Sequence, residues 1–351
     1  MKIVVFCPNL IGDTVMATPA FRALRRGFAG ATIVGVIKPH VAPVLDGLPY
    51  FDRLVGFDPK SRDPRARTPR VVRTLRAERP DLAVLFPNSF RSGLMACLSG
   101  ARRRVGYARG GRGLLLTDRL TEPRDQHGKR VPNPIVEYYL ELPRRLGCPT
   151  DSLRTELATT AADEAAADRA WDELGLRRDE PVVCLNTGGA FGPAKNWPVP
   201  HFASLARRLA TENGLAVLVI CGPGERANAQ AIVAGAGHPR VVSLAGQPLS
   251  LGLSKACVRR SSLLITTDSG PRHFAAPFRV PVLSLFGPTF IAWTRMHDPL
   301  AVHLFQPVPC GPCQKPVCPF GHHRCMQDLS PEAVYRAAVR MLAHSTTRTG
   351  G

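Results

Sequence analysis

Along this chain, short runs of apolar residues bounded by Gly, Pro or Asp alternate with stretches in which apolar residues recur at helical spacing. In the first half the runs are KIVVFCP, ATIVGVI, DLAVLFP and RRVGYA; in the second they are PVVCLN, LAVLVICG, RVVSLAG, SLLITTD and VPVLSLFG. Runs of about four to seven Val, Ile and Leu without polar alternation suit strands covered on both faces, the condition of a parallel sheet between helices. The pattern predicts an α/β chain of two doubly wound units. Their boundary is expected between residues 155 and 180, where TAADEAAADRAWDELG reads as a helix ending at Gly175 and hands over to the charged LRRDEP. We place the units at 1–165 and 176–330. A last helix over 331–344 opens with Ser330 as N-cap and Pro331 in its first turn, and the tail 345–351 is expected to be disordered.

The length of 351 residues exceeds what one core commonly holds, in keeping with two units. No run reaches the roughly 18 to 20 apolar residues of a spanning helix, and MKIVVFCPNL leads into a strand pattern rather than a signal peptide, so a cytosolic protein is expected. Charge changes the picture more. The net charge is +19, and residues 60–130 hold 18 Lys or Arg against 6 Asp or Glu, which places +12 in that segment. One basic face suits nucleic acid, anionic lipid or a phosphorylated substrate, while an Arg-rich composition drawn from a GC-rich genome would also supply such an excess. Arg62, Arg65, Arg67, Arg70, Arg73, Arg76 and Arg79 recur without interleaved aromatics, which speaks against base stacking.

Of ten cysteines, Cys7, Cys97, Cys184 and Cys221 lie in apolar runs and are expected in the core. CGPCQKPVCPFGHHRC is different: it sets Cys310, Cys313, Cys318 and Cys325 close together beside His322 and His323. Such soft ligands suit a structural zinc or iron, although the spacing matches no standard zinc template; a reduced loop and an oxidised pair are the alternatives.

Ligands of open α/β sheets collect at the carboxyl ends of strands, and three groups of residues follow strands here. In CPNLIGDTVMATPAFRALR, Gly12 permits a tight turn, and Asp13 either caps the next helix or presents a carboxylate able to take a proton from a hydroxyl. In TGGAFGPAKNWP, Thr187, Gly188 and Gly189 offer donors to a diphosphate and Lys195 a single ammonium. The magnesium-binding hydroxyl that follows the lysine of a P-loop is missing. Glu225, after the next strand in LVICGPGER, is placed to accept from ribose hydroxyls. In LLITTDSGPRHFAAPF, Asp268 and Ser269 are expected to cap a helix whose N-terminal amides Gly270 leaves open to an anion, with His273 one turn inside. No nucleophile elbow, HExxH helix or GxGxxG turn occurs in the right context.

Taken together, PNLIGDTVMATPAFRALR, NSFRSGLMACLSGARRRVGY, NTGGAFGPAKNWP, TTDSGPRHFAA with SLFGPT, and CGPCQKPVCPFGHHRCM resemble glycosyltransferase family 9, the bacterial lipopolysaccharide heptosyltransferases, over residues 7 to about 335. The resemblance implies a GT-B fold of two Rossmann-like domains facing a central cleft, an acceptor-binding first half and a nucleotide-sugar-binding second half. It implies inverting transfer of L-glycero-D-manno-heptose from ADP-heptose to the inner core, with no cofactor required. Carried over by motif, Asp13 and Lys195 are the catalytic pair, and Lys195 holds phosphate. Thr187, Gly188, Gly189, Glu225, Asp268, Ser269, Gly270 and His273 bind the donor. Gly12, Asp13, Asn88 and Arg91 are expected to bind the acceptor, and Arg102, Arg103 and Arg104, as part of the basic face, to meet that acceptor or the bilayer. CGPGER departs from the family's wording around Glu225, and Pro271 and Arg272 stand where apolar residues are common. The implied partners are an anionic lipopolysaccharide precursor and the inner face of the inner membrane, touched peripherally, with no nucleic acid. Another nucleotide sugar, or a capsule or protein acceptor, is the alternative within the fold; a nucleic-acid-binding metalloprotein would leave Asp13, Lys195 and Asp268 without a role.

Overall fold

The computed structural model describes residues 1–128, 131–189 and 191–346. The chain divides into two compact units, the first comprising Met1–Glu156 with Ala292–Arg295, the second Leu157–Ile291 and the chain from Met296 onward. Residues 157–165, assigned to the first unit by pattern, thus belong with the second.

The first unit runs β1 (Lys2–Phe6), α1 (Ile11–Met16), α2 (Thr18–Gly27), β2 (Thr32–Ile37), β3 (Arg53–Gly56), α3 (Thr68–Ala77), β4 (Leu82–Leu85), α4 (Phe90–Leu98), β5 (Arg103–Tyr107), β6 (Asp118–Leu120) and α5 (Ile135–Arg145). Its six parallel strands lie in the order β3-β2-β1-β4-β5-β6. Val4 of β1 pairs with Val34 on one side and Ala83 on the other. Such central strands have no polar face because helices cover both sides, and each buried Val or Ile contributes about 1.5–3 kcal/mol.

The second unit continues with α6 (Ala161–Glu173), β7 (Val182–Asn186), α7 (Val199–Asn213), β8 (Ala216–Ile220), α8 (Arg226–Ala236), β9 (Val241–Ser243), α9 (Leu251–Arg260), β10 (Leu263–Thr267), β11 (Val282–Phe286), β12 (Ala301–Phe305), α10 (Arg324–Gln327) and α11 (Pro331–Thr346). The strand order is β12-β11-β10-β7-β8-β9, again all parallel. Helix α6 opens with a capping box between Thr160 and Asp163, and Gly175, at φ 65°, takes the left-handed position after its end. Ser330 caps α11 by accepting from the Ala333 amide at 3.2 Å. The helix runs two residues past 344; residues 347–351, where the rest of the expected tail falls, lie outside the described residues.

Both sheets repeat one topology. Counted within its own unit, each reads 3-2-1-4-5-6, so the strand order reverses between β1 and β4 in the first and between β7 and β10 in the second. A crevice forms at the carboxyl ends of such a pair because the connections leave in opposite directions. Three strands, β3, β6 and β12, are absent from the apolar pattern, and all three are sheet edges. Cys7, Cys184 and Cys221 are buried as expected, but Cys97 is exposed on α4, because that helix turns part of its apolar sequence outward.

Candidate active site

At the switch point of the first unit, β1 ends at Phe6 and α1 begins at Ile11 with Leu10 as N-cap. Asp13 is therefore not the cap that the sequence allowed; it stands in the first helical turn, half-buried, behind the buried Gly12. Its charge reaches Tyr139 of α5, a buried phenol pushed well above its usual range by burial first and by the Asp13 carboxylate second.

Beside it, β4 leads through Pro87 and Asn88 to Ser89, whose hydroxyl caps α4 by accepting from the Ser92 amide at 3.2 Å. Asn88 donates through Nδ2 to the Tyr138 hydroxyl at 2.8 Å and accepts through Oδ1 from Arg112 Nη2 at 3.1 Å. Arg112 has no exposed surface. It donates to the Tyr107 carbonyl at 2.9 Å, to Ser92 Oγ at 3.0 Å and to the Pro87 carbonyl. Burial lowers its pKa to about 10, which leaves it charged at neutral pH. A Cβ on Gly93 or Gly106 would lie 3.1 Å from the Arg112 side chain, so two glycines of the motif make room for this guanidinium. Arg91 is exposed in the first turn of α4.

Arg102, Arg103 and Arg104 do not join this group. They sit at the start of β5, and in a parallel sheet that is the opposite edge from Asp13, about 13 Å away along a five-residue strand. Arg103 is committed to Asp118 at 2.8 Å, and Arg104 donates to the carbonyls of Ala101 and Leu115, both at 2.6 Å.

At the switch point of the second unit, Asn186 closes β7 and joins it to β10. Its Nδ2 donates to Ser269 Oγ at 2.8 Å, to Thr266 Oγ1 at 3.0 Å and to the Gly188 carbonyl at 3.3 Å. The next turn has room for no side chain at its glycines. A Cβ on Gly188 would lie 1.7 Å from Glu225 Oε1, and one on Gly189 3.0 Å from Ser269 Cβ. Glu225 is held there by the Gly222 amide, which donates to its Oε2 at 2.8 Å. The Lys195 ammonium lies 2.6 Å from Asp268 Oδ2 and 3.0 Å from the Asp268 carbonyl, and 4.5 Å from the centre of the Phe191 ring. Thr289 donates to Asp268 Oδ2 at 2.7 Å, and the fully buried Arg272 stands 3.4 Å from Oδ1.

Burial alone would raise the Asp268 pKa, but Arg272 and Lys195 outweigh it and hold the carboxyl below its ordinary range. His273 is pushed well below its usual pKa, by burial first and by the Arg272 charge second, and is neutral at pH 7. Two cations against one carboxylate leave one net positive charge, and the buried hydroxyls of Thr187 and Thr267 have no hydrogen-bond partner among the described residues. Unmet donors and surplus positive charge in a crevice are what an anionic, oxygen-rich ligand needs.

One expectation fails here. Asp268 and Ser269 cap no α-helix: Gly270–Phe274 and Ala276–Phe278 are two short 3₁₀ turns, and Ser269 makes no capping bond. Pro277 has no N–H and its ring would strike the carbonyl four residues earlier, so an α-helix begun at Gly270 cannot continue. Side-chain cations, rather than a helix terminus, supply the positive field.

Two charged turns at the switch points of a doubled parallel fold are what a nucleotide-sugar transferase requires, and the model of glycosyltransferase family 9 (heptosyltransferase) matches residues 68–324. The chain belongs to that family. Lipooligosaccharide heptosyltransferase 2 of Campylobacter jejuni is 25% identical over 98% of this chain and 99% of its own length. Lipopolysaccharide heptosyltransferase 2 of Escherichia coli is 25% identical over 95% and 96%. The solved structure of E. coli ADP-heptose LPS heptosyltransferase II covers 99% of this chain and 100% of its own, at 23% identity and a TM-score of 0.79, which identifies the fold as GT-B.

In this family 9 glycosyltransferase the cysteine loop buttresses the lysine turn. The Pro316 carbonyl accepts from the Ala194 amide at 3.0 Å, and a Cβ on Gly192, at φ 144°, would meet that oxygen at 2.4 Å. Cys310, Cys313, Cys318 and Cys325 line one pocket with His322 and His323, as free thiols. Among the described residues no three His, Cys, Asp or Glu side chains converge as metal ligands, so a zinc or iron, one of the three readings open for this loop, does not fit this arrangement. The His322 ring is stacked on Phe320 instead, 5.6 Å between centres, and Cys310 Sγ comes no nearer to its Nε2 than 3.8 Å.

Sequence reading missed Asn186, Arg272 and Thr289 in the β7/β10 crevice and Arg112 in the other. Asn186 and Thr289 stand inside quoted motifs, and Arg272 was noted only as a departure. Arg112 carried no signal beyond two glycines whose purpose becomes visible in three dimensions.

Proposed function

We propose that this transferase moves L-glycero-D-manno-heptose from ADP-heptose to the inner core of a lipopolysaccharide precursor, with inversion, as a heptosyltransferase II. The observation that carries the reading is the Lys195–Asp268–Arg272 cluster, with Asp268 and Arg272 buried and Lys195 partly exposed, and its net positive charge at the β7/β10 crevice. On this reading Lys195 leaves Asp268 for the donor diphosphate, Thr187 and the turn at Gly188 and Gly189 contribute donors, and Glu225 accepts from the ribose. Asp13 takes the proton of the acceptor hydroxyl. As that oxygen bonds to the anomeric carbon, the bond from this carbon to the ADP oxygen breaks, and the charge that builds on ADP is met by Lys195 and Arg272. Donors already aimed at developing charge lower a barrier without reorganisation, so no metal or other cofactor is required.

The acceptor side is assigned to the first unit, through Gly12, Asp13, Asn88 and Arg91. An acceptor bearing phosphates and acidic sugars suits the basic segment 60–130, and it would be met at the inner face of the inner membrane. Among the described residues no helix is long and apolar enough to cross a membrane. The test is release of ADP from ADP-heptose with a heptose-deficient lipopolysaccharide acceptor, against other ADP- and UDP-sugars. A preference of at least tenfold for ADP-heptose is expected; equal rates with another sugar nucleotide would overturn the donor assignment.

A further inference from the structure

Helix α4 carries its apolar residues on the wrong side. Ser92, Gly93, Met95 and Ala96 are buried, while Phe90, Leu94 and Leu98 are 52%, 38% and 48% exposed. At 100° per residue these three, with the exposed Arg91 and Cys97, share an arc of roughly 120° on the outer face. The turn Arg112–Leu115 packs against the same helix, with Leu115 lying 3.3 Å from where a Cβ of Gly93 would be, and Leu114 of that turn is 88% exposed. An amphipathic helix normally presents polar residues outward, so three large apolar side chains on its outer face, with exposed Leu114 on the turn packed against the helix, mark an unpartnered face.

The surroundings select the partner. Helix α3 packs against α4 and exposes Arg70, Arg73 and Arg76. None of these, nor Arg91 or Arg102, has an ion-pair partner among the described residues. Apolar residues in the plane of one helix, edged by unpaired arginines, match a bilayer surface with anionic headgroups, where the side chains reach the acyl boundary and the guanidiniums meet phosphates. A second copy would set the same arginines against one another, and a protein partner would need an acidic rim around an apolar groove.

We infer that the outer face of α4, Phe90, Leu94 and Leu98 with Leu114, is a membrane-docking surface that inserts shallowly into an anionic leaflet. The inference rests on the proposed lipid-linked acceptor for its purpose, because Phe90 lies two residues after Asn88 and the stripe starts at the acceptor crevice. Its test needs neither donor nor acceptor, so the two can fail separately. The full chain is floated with vesicles of 70% phosphatidylcholine and 30% phosphatidylglycerol, and with pure phosphatidylcholine, at low and high salt. Wild type is expected to bind the anionic vesicles, and Leu94→Ser/Leu98→Ser/Leu114→Ser to lose at least tenfold in partition at an unchanged thermal midpoint. Arg70→Gln/Arg73→Gln/Arg76→Gln is expected to remove the salt-sensitive part. A Leu94→Trp variant is expected to be quenched by lipids brominated near the glycerol end of the acyl chain, which tests insertion without depending on the serine variant's fold. Wild-type partition by the serine variant, or an unquenched tryptophan, overturns the inference. So does a wild-type dimer that the serine substitutions dissociate, since the face would then bind a second copy.

Discussion

Replacing Lys195 by methionine keeps most of the length and apolar stem of the side chain and removes only the ammonium. In the free enzyme this breaks a contact of 2.6 Å with a carboxylate that is 6% exposed. Breaking a buried pair by deleting one partner costs about 3–5 kcal/mol, because the other charge is left without compensation. Asp268 keeps Thr289 at 2.7 Å and Arg272 at 3.4 Å, which argues for the lower end, about 3 kcal/mol. For a unit of this size that is a fall of roughly 6–12 °C in the thermal midpoint. In turnover, loss of one donor aimed at the leaving group corresponds to about 10²–10³. Differential scanning fluorimetry with and without ADP, together with steady-state ADP release, separates the two effects. ADP should raise the wild-type midpoint and have little effect on that of Lys195→Met. If the variant lost stability but kept turnover within threefold of wild type, or gained as much from ADP as wild type does, Lys195 would be a structural partner of Asp268 and not a phosphate ligand.

Asp13→Asn retains shape and removes the carboxylate proposed to accept the proton. Turnover should fall by about 10²–10⁴ while ADP affinity, by isothermal titration, stays within twofold; a normal rate would remove Asp13 from the role of base. Neutral His273 should make stability sensitive to mild acid. Its folded pKa lies below the unfolded value near 6.5, so its contribution is complete above that pH and is lost as pH falls below it, at up to about 1.4 kcal/mol per pH unit. Urea unfolding of wild type and His273→Gln between pH 7.5 and 5.5 should give curves that differ in slope by that amount; parallel curves would mean that the imidazole is not held neutral.

The three strands missing from the apolar pattern are all sheet edges, although the fourth edge, β9, was visible in RVVSLAG. Interior strands of a doubly wound sheet are covered on both faces and are mostly continuously apolar, as LAVL of β4 and AVLVI of β8 are, while β5 carries Arg103 and Arg104 only at its less covered start. An edge strand has one neighbour and partial cover, so RLVG of β3, DRL of β6 and AVHLF of β12 can carry Arg, Asp and His and never form a run. The short α-helix expected after Asp268 failed for a different reason. Its opening, Asp-Ser-Gly-Pro, is a sound helix start, and Pro277 lies far enough ahead to be discounted if only the first turn is read. Arg102–Arg104 were misjudged because charge density says nothing about strand direction, and direction alone assigns them to the far edge.

What the sequence did reveal follows from topology more than from any motif. A strand order that reverses once per unit opens its crevice after two strands, the first and fourth, and Glu225, after the second strand of its unit, reaches the same turn from the side. Gly12 and Asp13 follow the first strand of their unit and Asn88 the fourth; Thr187 to Gly189 follow the first of theirs and Asp268 to Gly270 the fourth. Each group was recognisable because a short polar, glycine-bearing segment interrupts a run that is otherwise wholly buried. The residues that hold these groups in place carry no such contrast. Arg112 and Arg272 are arginines in an arginine-rich chain, and only their complete burial, one among carbonyls and hydroxyls and the other against Asp268, separates them from the exposed arginines of α3. Sequence patterning therefore locates the ends of the strands where chemistry can occur, while the charges that poise those ends are specified by packing.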